Sequence, residues 1–303
     1  METPIPTFDI EALWDFNDPA ASEARFRGVL ADLSDPTEPA VAIASLELLT
    51  QIARAQGLGR RFDDAHATLD DVERTIAAEE KAAIPRVRVR YLLERGRVLN
   101  SSGKKDEARP YFVEAFDRAL LDEDDPLAVD AAHMVAIVES PEGAMLWNER
   151  ALALAESSSH PRARKWRASL LNNMGWTRHD RGEFDVALDL FERALEARRE
   201  QSDPGTIRIA RWSVARCLRS LGRTEEALAA QQGIERELSA AGDSDGYVNE
   251  EIAECLLALD RATDARPQFA RAAELLGKDS WFVEREPARL ARLRQLGSEP
   301  AAS

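Results

Sequence analysis

The stretch Leu171-Asn-Asn-Met-Gly175-Trp-Thr-Arg-His-Asp-Arg-Gly182-Glu-Phe-Asp-Val-Ala187-Leu-Asp-Leu-Phe191-Glu-Arg-Ala194 decides the fold. A small residue is followed by a glycine seven positions on and an alanine five further, then by Phe and Ala at plus four and plus seven. Leu92 to Ala115 repeats the spacing with Gly96, Gly103, Ala108, Phe112 and Ala115. A third copy carries Ala215, Gly222 and Ala227, and a fourth Ala253, Ala265, Phe269 and Ala272. Weaker copies hold Ala132, Ala144 and Ala151, and Ala53, Ala65 and Leu69. In all six a Gly or Ala stands twelve residues before the anchoring alanine, and the anchors fall at 65, 108, 144, 187, 227 and 265. Internal repetition at about 40 residues is the signature of a stacked architecture.

That spacing describes a helical hairpin. Antiparallel helices approach closely only where side chains are small, so the Gly and Ala positions mark the crossing. Gly103, Gly182 and Gly222 stand where the first helix must stop, in the left-handed conformation that favours glycine. The Phe four residues past the anchor lies on the same face one turn on and is expected to fill the groove toward the next hairpin. One hairpin cannot bury its apolar face alone, so the units must stack.

Composition agrees. Ala, Leu, Arg and Glu, all good helix formers, dominate, no alternating β-branched run occurs, and the fold class reads as all-α. With 55 Asp+Glu against 40 Lys+Arg in 303 residues, the charge of −15 argues against general binding to nucleic acid or anionic membrane. No run approaches 18 apolar residues, and METPIPTFDIEALWDF lacks the pattern of a secretory signal, so a soluble, cytoplasmic chain is expected.

The repeated residues resemble the tetratricopeptide repeat, whose pattern is a small residue on helix A, a tight turn, then Ala, a large apolar residue and Ala on helix B. The resemblance implies a right-handed α-α superhelix of about six hairpins over residues 45–276, with capping helices in 1–44 and 277–303. Three departures stand out: Arg178 occupies a position that prefers Tyr, and Asn148 and Gln231 positions that prefer Phe. In the Ala53 copy Gly59 comes one residue early, and Ser140-Pro141-Glu142-Gly143 replaces the glycine turn of the Ala132 copy. The N-terminal cap is read as Trp14 and Phe16 ahead of a helix from Asp18-Pro19. The C-terminal cap is read as a helix over 279–296 with Trp281, Phe282, Leu290 and Leu293, followed by a frayed tail.

No HExxH, GxSxG, GxxxxGK[ST] or CxxC occurs, and the four histidines make no metal spacing, so neither cofactor nor metal is expected. Cys217 and Cys255 occupy equivalent places on successive A helices and read as core thiols rather than a redox pair. The run Arg162-Ala-Arg164-Lys165-Trp166-Arg167 is basic, but Pro161 before it places it at a helix start.

In the family resembled, the A helices line a concave surface that binds extended peptides or a partner's helix. The faces that avoid the core stripe offer Glu47, Thr50 and Arg54; Arg90, Arg97 and Asn100; His133; Asn172, Trp176, His179 and Asp180; Trp212, Arg216 and Arg219; and Tyr247, Glu250 and Glu254. The expected site is Arg97, Asn100, His133, Asn172, Trp176, His179, Trp212, Arg216, Arg219 and Tyr247. Arg forks bind carboxylates, Asn can hold peptide backbone and Trp supplies an apolar anchor. Alternatively, the arginines pair with glutamates of neighbouring repeats and the tryptophans pack between hairpins. The expected function is a non-enzymatic scaffold or adaptor for a protein or peptide partner, the groove arginines suiting one with acidic groups or a free C-terminus. The competing class is an enzyme or small-ligand receptor using His133, His179 and the groove arginines.

Overall fold

A computed structural model describes residues 9–33, 38–78 and 84–298. The frayed tail expected beyond Ser298, at 299–303, lies outside the described residues, as do residues 1–8. Every element among the described residues is a helix. They are α1 (Ile10–Leu13), α2 (Pro19–Asp32), α3 (Pro39–Leu58), α4 (Phe62–Ala78), α5 (Pro85–Ser101), α6 (Lys105–Leu121), α7 (Asp125–Val138) and α8 (Pro141–Ser157). They continue as α9 (Pro161–Asp180), α10 (Phe184–Gln201), α11 (Pro204–Ser220), α12 (Thr224–Ala240), α13 (Gly246–Ala258), α14 (Ala262–Leu276), α15 (Ser280–Arg285) and α16 (Pro287–Ser298). The chain divides into two compact units, Met1–Arg167 and Ala168–Ser303, with the boundary inside α9. No helix among the described residues is long and apolar enough to cross a membrane.

The hairpins fall where the spacing places them: α3/α4, α5/α6, α7/α8, α9/α10, α11/α12 and α13/α14. Proline opens many of these helices, where its missing N–H is not needed. Asp203 caps α11 by accepting from the backbone N–H groups of Gly205 and Thr206, satisfying donors the helix itself cannot.

The turn inside each hairpin keeps one left-handed residue seven positions after the small residue. Gly103, Gly182 and Gly222 hold φ of +88°, +76° and +76°. Where glycine is missing the geometry persists: Arg60 has φ 59° and Asp260 φ 57°. The early Gly59 therefore leaves the turn unchanged, and an arginine bears the left-handed strain. The Ala132 copy alone departs, since Glu139 takes φ −80° and Ser140 caps α8 through the Gly143 N–H.

The small residues serve the hairpin itself. A Cβ added at Gly96 would meet the Phe112 ring at 2.5 Å, and one at Gly175 would meet the Phe191 ring at 2.7 Å. Each fully buried ring thus seats on the glycine of its own A helix, and Phe191 also shares a core with Cys217 and Leu218 of the next hairpin. Where the A helix carries alanine at Ala132 and Ala215, the ring position holds Asn148 and Gln231 instead, both buried. Asn148 Oδ1 and Gln231 Oε1 meet no hydrogen-bond partner among the described residues.

In unit 1, α1 and α2 pack on α3 through Ile10, Phe26, Leu48 and Ile52, so the N-terminal cap is a covered end. Helix α3 begins at Pro39, before the expected boundary at 45. In unit 2 the cap is two helices rather than one. Phe282 of α15 and Leu290 and Leu293 of α16 join the core of α10–α14, while Trp281 is exposed.

Candidate functional site

In unit 1 the expected site residues lie on the A helices α5 and α7. Arg97 donates from Nη2 to both carboxylate oxygens of Asp130, at 2.5 and 2.6 Å, and from Nη1 to Glu94. Burial works against both charges, but Asp130 and then Glu94 hold the Arg97 guanidinium protonated. Burial likewise raises the Asp130 carboxyl, and Arg97 and Arg54 outweigh it, leaving the carboxyl below its ordinary range. A cavity of about 210 Å³ opens beside Arg54, Arg97, Asn100 and Met134. Asn100 Oδ1 is buried there with no hydrogen-bond partner among the described residues. The His133 ring lies 5.1 Å from that of Trp166 at a tilt of 47°, and burial, with Arg97, pushes its imidazole below its usual value. Thr50 is buried, and its hydroxyl donates to the Glu47 carbonyl.

In unit 2 the aromatic residues form a ladder along successive A helices. Trp176 lies 4.9 Å from Phe191 and 6.0 Å from Trp212; Trp212 lies 6.4 Å from Tyr247, and Tyr247 5.8 Å from Phe282. Trp212 Nε1 donates to the Tyr247 carbonyl at 3.3 Å. The three rungs Trp176, Trp212 and Tyr247 are half-buried, with one side packed on the core. His179 shares its Nε2 with the Ser220 hydroxyl at 2.9 Å, and Asn172 Oδ1 accepts from Ser213 at 3.4 Å.

Beside the ladder, Glu251 accepts from two arginines. Arg219 Nε donates to Oε2 at 2.8 Å and Nη2 to Oε1 at 3.1 Å, while Arg216 Nε lies 3.0 Å from Oε1. The glutamate side chain is 4% exposed, against 26% for Arg216 and 21% for Arg219. Burial draws Arg216 below the ordinary arginine value, with Glu251 acting against it. On the far side of Tyr247, Arg289 of α16 grips Glu250 with two bonds of 2.7 Å, and Arg292 pairs with Glu254.

The arginines of the expected site are therefore all present on the A helices, and each is already engaged by a carboxylate one repeat on. Asp130 stands 33 residues after Arg97, and Glu251 stands 32 after Arg219. Glu94, Glu250 and Glu251 are all buried on A helices. Glu94, Asp130, Glu251 and the α16 arginines are what sequence reasoning missed. The available signal was a carboxylate recurring about one repeat after each A-helix arginine. Cys217 and Cys255 are free and buried, and burial raises their thiols to about 11 and about 12, so neither is a thiolate at neutral pH. The basic run opens α9. Among the described residues no group of three or more His, Cys, Asp or Glu could hold a metal ion.

Comparison with known proteins adds the following. Residues 166–233 match the family model of the tetratricopeptide repeat. No curated protein matches the chain in sequence. Among solved structures, the apo quorum sensor NprR from B. thuringiensis is similar at 14% identity and a TM-score of 0.64, covering 96% of this chain and 80% of its own. A structure of NprR in complex with its cognate peptide NprX aligns at 13% identity, with a TM-score of 0.52, over 96% of this chain and 87% of its own. The apo form of RapI aligns at 12% identity and 0.65, over 93% and 81%. A tetratricopeptide repeat protein from Parabacteroides merdae aligns at 16% identity and 0.50, over 96% and 97%. At these identities the likeness is one of fold.

Proposed function

We propose that the chain, whose residues 166–233 match the tetratricopeptide repeat model, acts as a non-enzymatic module that binds a protein or peptide partner on its A-helix faces. The observation that carries this is the unit 2 ladder with its arginines. Trp176, Trp212 and Tyr247 present half-buried rings in register on consecutive A helices. Such rings are rigid, so a partner gains apolar contact at small cost in side-chain entropy. Beside them two guanidiniums share one carboxylate, so the Arg216–Arg219–Glu251 group keeps a net positive charge. The charged carboxylate is the more deeply buried member, which turns the exposed arginine edges toward a ligand. Acidic side chains or a chain terminus answer that charge. NprR, similar in fold, has been solved with a peptide bound.

The test is isothermal titration of the whole chain with peptides selected on it from a display library. Affinity that falls at least tenfold in both Trp176→Ala and Arg216→Ala supports the reading. Binding unchanged in both variants removes the unit 2 face from consideration.

A further inference from the structure

The A-helix face of unit 1 is not bare. The chain's own segment Asp9–Phe16 lies across it, reaching from α3 to the first turn of α9. At one end Asp9 accepts from Arg162 Nη2 at 3.4 Å, and Glu11 sits 3.2 Å from Arg162 Nε. In the middle Ile10 is buried against Leu48 and Ile52, and Trp14 Nε1 donates to Gln51 Oε1 at 3.1 Å. At the other end Trp14 and Phe16 stack in parallel, 4.8 Å apart, and Arg54 lies over both rings at 5.3 and 5.4 Å. Acidic side chains meet an arginine, an indole meets a side-chain amide, and aromatic rings meet a cation. These are the contacts a groove makes with a peptide, formed here within one chain.

The fit is incomplete in a telling way. Between segment and helices lies a cavity of about 480 Å³, walled by Glu11 and Trp14 on one side and by Arg54, Arg90, Lys165 and Trp166 on the other. Two of its arginines are loosely matched. Arg54 finds Glu94 only at 4.0 Å, Arg90 Nε finds Glu47 at 3.9 Å, and Arg90 Nε has no hydrogen-bond partner among the described residues. Burial lowers the pKa of both, the mark of cations that gain from a nearer anion. The segment's hold on α9 is light. Asp9 and Glu11 are 62% and 58% exposed and Arg162 39%, so their pairing with Arg162 is screened and weak. Its firmer ties run to α2 and α3: Ile10 is buried, Trp14 Nε1 donates to Gln51 and its ring meets Phe26 edge-on at 5.1 Å, Arg25 Nε donates to the Leu13 carbonyl at 2.8 Å, and the Ser22 hydroxyl bonds both the N–H and the carbonyl of Asp15.

We propose that this face is a binding site for an acidic peptide carrying aromatic side chains, and that Asp9–Phe16 is its resident intramolecular occupant, displaced when such a partner binds. The inference rests on the reading that A-helix faces of this chain bind peptides. It adds a second site in unit 1, the chemistry of the ligand and a built-in competitor. A tethered occupant acts at an effective concentration in the millimolar range, so it suppresses a partner of modest affinity without abolishing its binding.

The experiment uses the full chain and a fluorescein-labelled peptide of its own residues 9–17, Asp-Ile-Glu-Ala-Leu-Trp-Asp-Phe-Asn, followed by anisotropy. Two variants loosen the segment by different routes: Asp9→Arg with Glu11→Arg, which touches only exposed charges, and Trp14→Ala, which removes its largest contact with α3. The peptide is expected to bind wild type weakly and both loosened variants at least tenfold more tightly. Adding Arg162→Glu to Trp14→Ala is expected to reverse that gain. Equal affinity for wild type and both loosened variants overturns the proposal, as does no binding to the charge-reversed variant while its helical circular dichroism and melting are intact. Trp176 and Arg216 are untouched throughout. Failure here therefore leaves the unit 2 reading standing, and loss of the unit 2 reading leaves this outcome readable.

Discussion

In unit 1 one arginine, Arg97, is shared by two carboxylates, Asp130 and Glu94; in unit 2 one carboxylate, Glu251, is shared by two arginines, Arg216 and Arg219. The stoichiometry is inverted, and so is the burial. Arg97 and its partners are all nearly enclosed, with side-chain exposures of 13%, 14% and 2%. In unit 2 only the shared glutamate is enclosed. The same residue types at the same repeat spacing therefore make an internal charge lock in one unit and an outward-leaning cationic edge in the other. An A-helix arginine is not by itself a ligand contact; the depth of its partners decides what it can do.

The largest expected effect comes from breaking the lock at its centre. Arg97→Met leaves Asp130 and Glu94 buried side by side without their cation, and a loss of about 3–5 kcal/mol is expected from urea unfolding. A loss below ~1 kcal/mol would mean that Arg54 takes over the role and that the two units do not differ as described. Next is the part the units share. Gly96→Ala and Gly175→Ala each drive a Cβ into a phenylalanine ring, and each should cost roughly 1–3 kcal/mol. Phe112→Leu and Phe191→Leu, paired with those changes, should recover part of it in a double-mutant cycle.

Glu251→Gln should cost less than Arg97→Met, about 1–2 kcal/mol, because its partners are a fifth to a quarter exposed and water can solvate them. A cost matching Arg97→Met would erase the distinction between lock and edge. Unit 1 also carries a titration. Burial holds the folded-state pKa of His133 below the unfolded value of about 6.5, so the unfolded chain binds more protons in that window. Its contribution to stability is complete above about pH 6.5 and declines as pH falls, and His133→Gln should flatten the melting temperature between about pH 6.5 and 5. An unaltered slope would assign it to other groups, such as His179. Smallest, and opposite in sign, is relief of left-handed backbone. Arg60→Gly in unit 1 should stabilise by ~1 kcal/mol, and Asp260→Gly in unit 2 by less, since Asp tolerates that conformation better. Equal shifts in melting temperature would deny the difference between the two turns.

The hairpins were legible because the twelve-residue step from small residue to anchor is a property of the backbone crossing, which every copy must keep. The turn was legible only where glycine marked it. Arg60 and Asp260 hide the same geometry behind residues that do not advertise it. The seating of Phe112 and Phe191 is visible in hindsight as a pairing, since copies with Gly on helix A carry Phe on helix B, while those with Ala132 and Ala215 carry Asn148 and Gln231. Ala253 with Phe269 shows that the pairing is a tendency of space and not a code. The site was half legible. Its arginines and tryptophans announced themselves by type, but whether Arg97 meets Asp130 depends on the register between adjacent A helices, which no single helix encodes. Trp14 and Phe16 read as a cap because their partners Gln51 and Arg54 lie on another helix.

Because Phe112 and Phe191 each close on a glycine within their own hairpin, plug and socket travel together in the sequence. A duplication of such a segment arrives with its internal fit complete and has only its outer surfaces left to negotiate. Deletion likewise removes a matched set. The hairpins around Gly96 and Gly175 are in this sense interchangeable parts, suited to lengthening, shortening or reordering the array, whereas the copies around Ala132 and Ala215, with Asn148 and Gln231 at the ring position, lack that plug and socket.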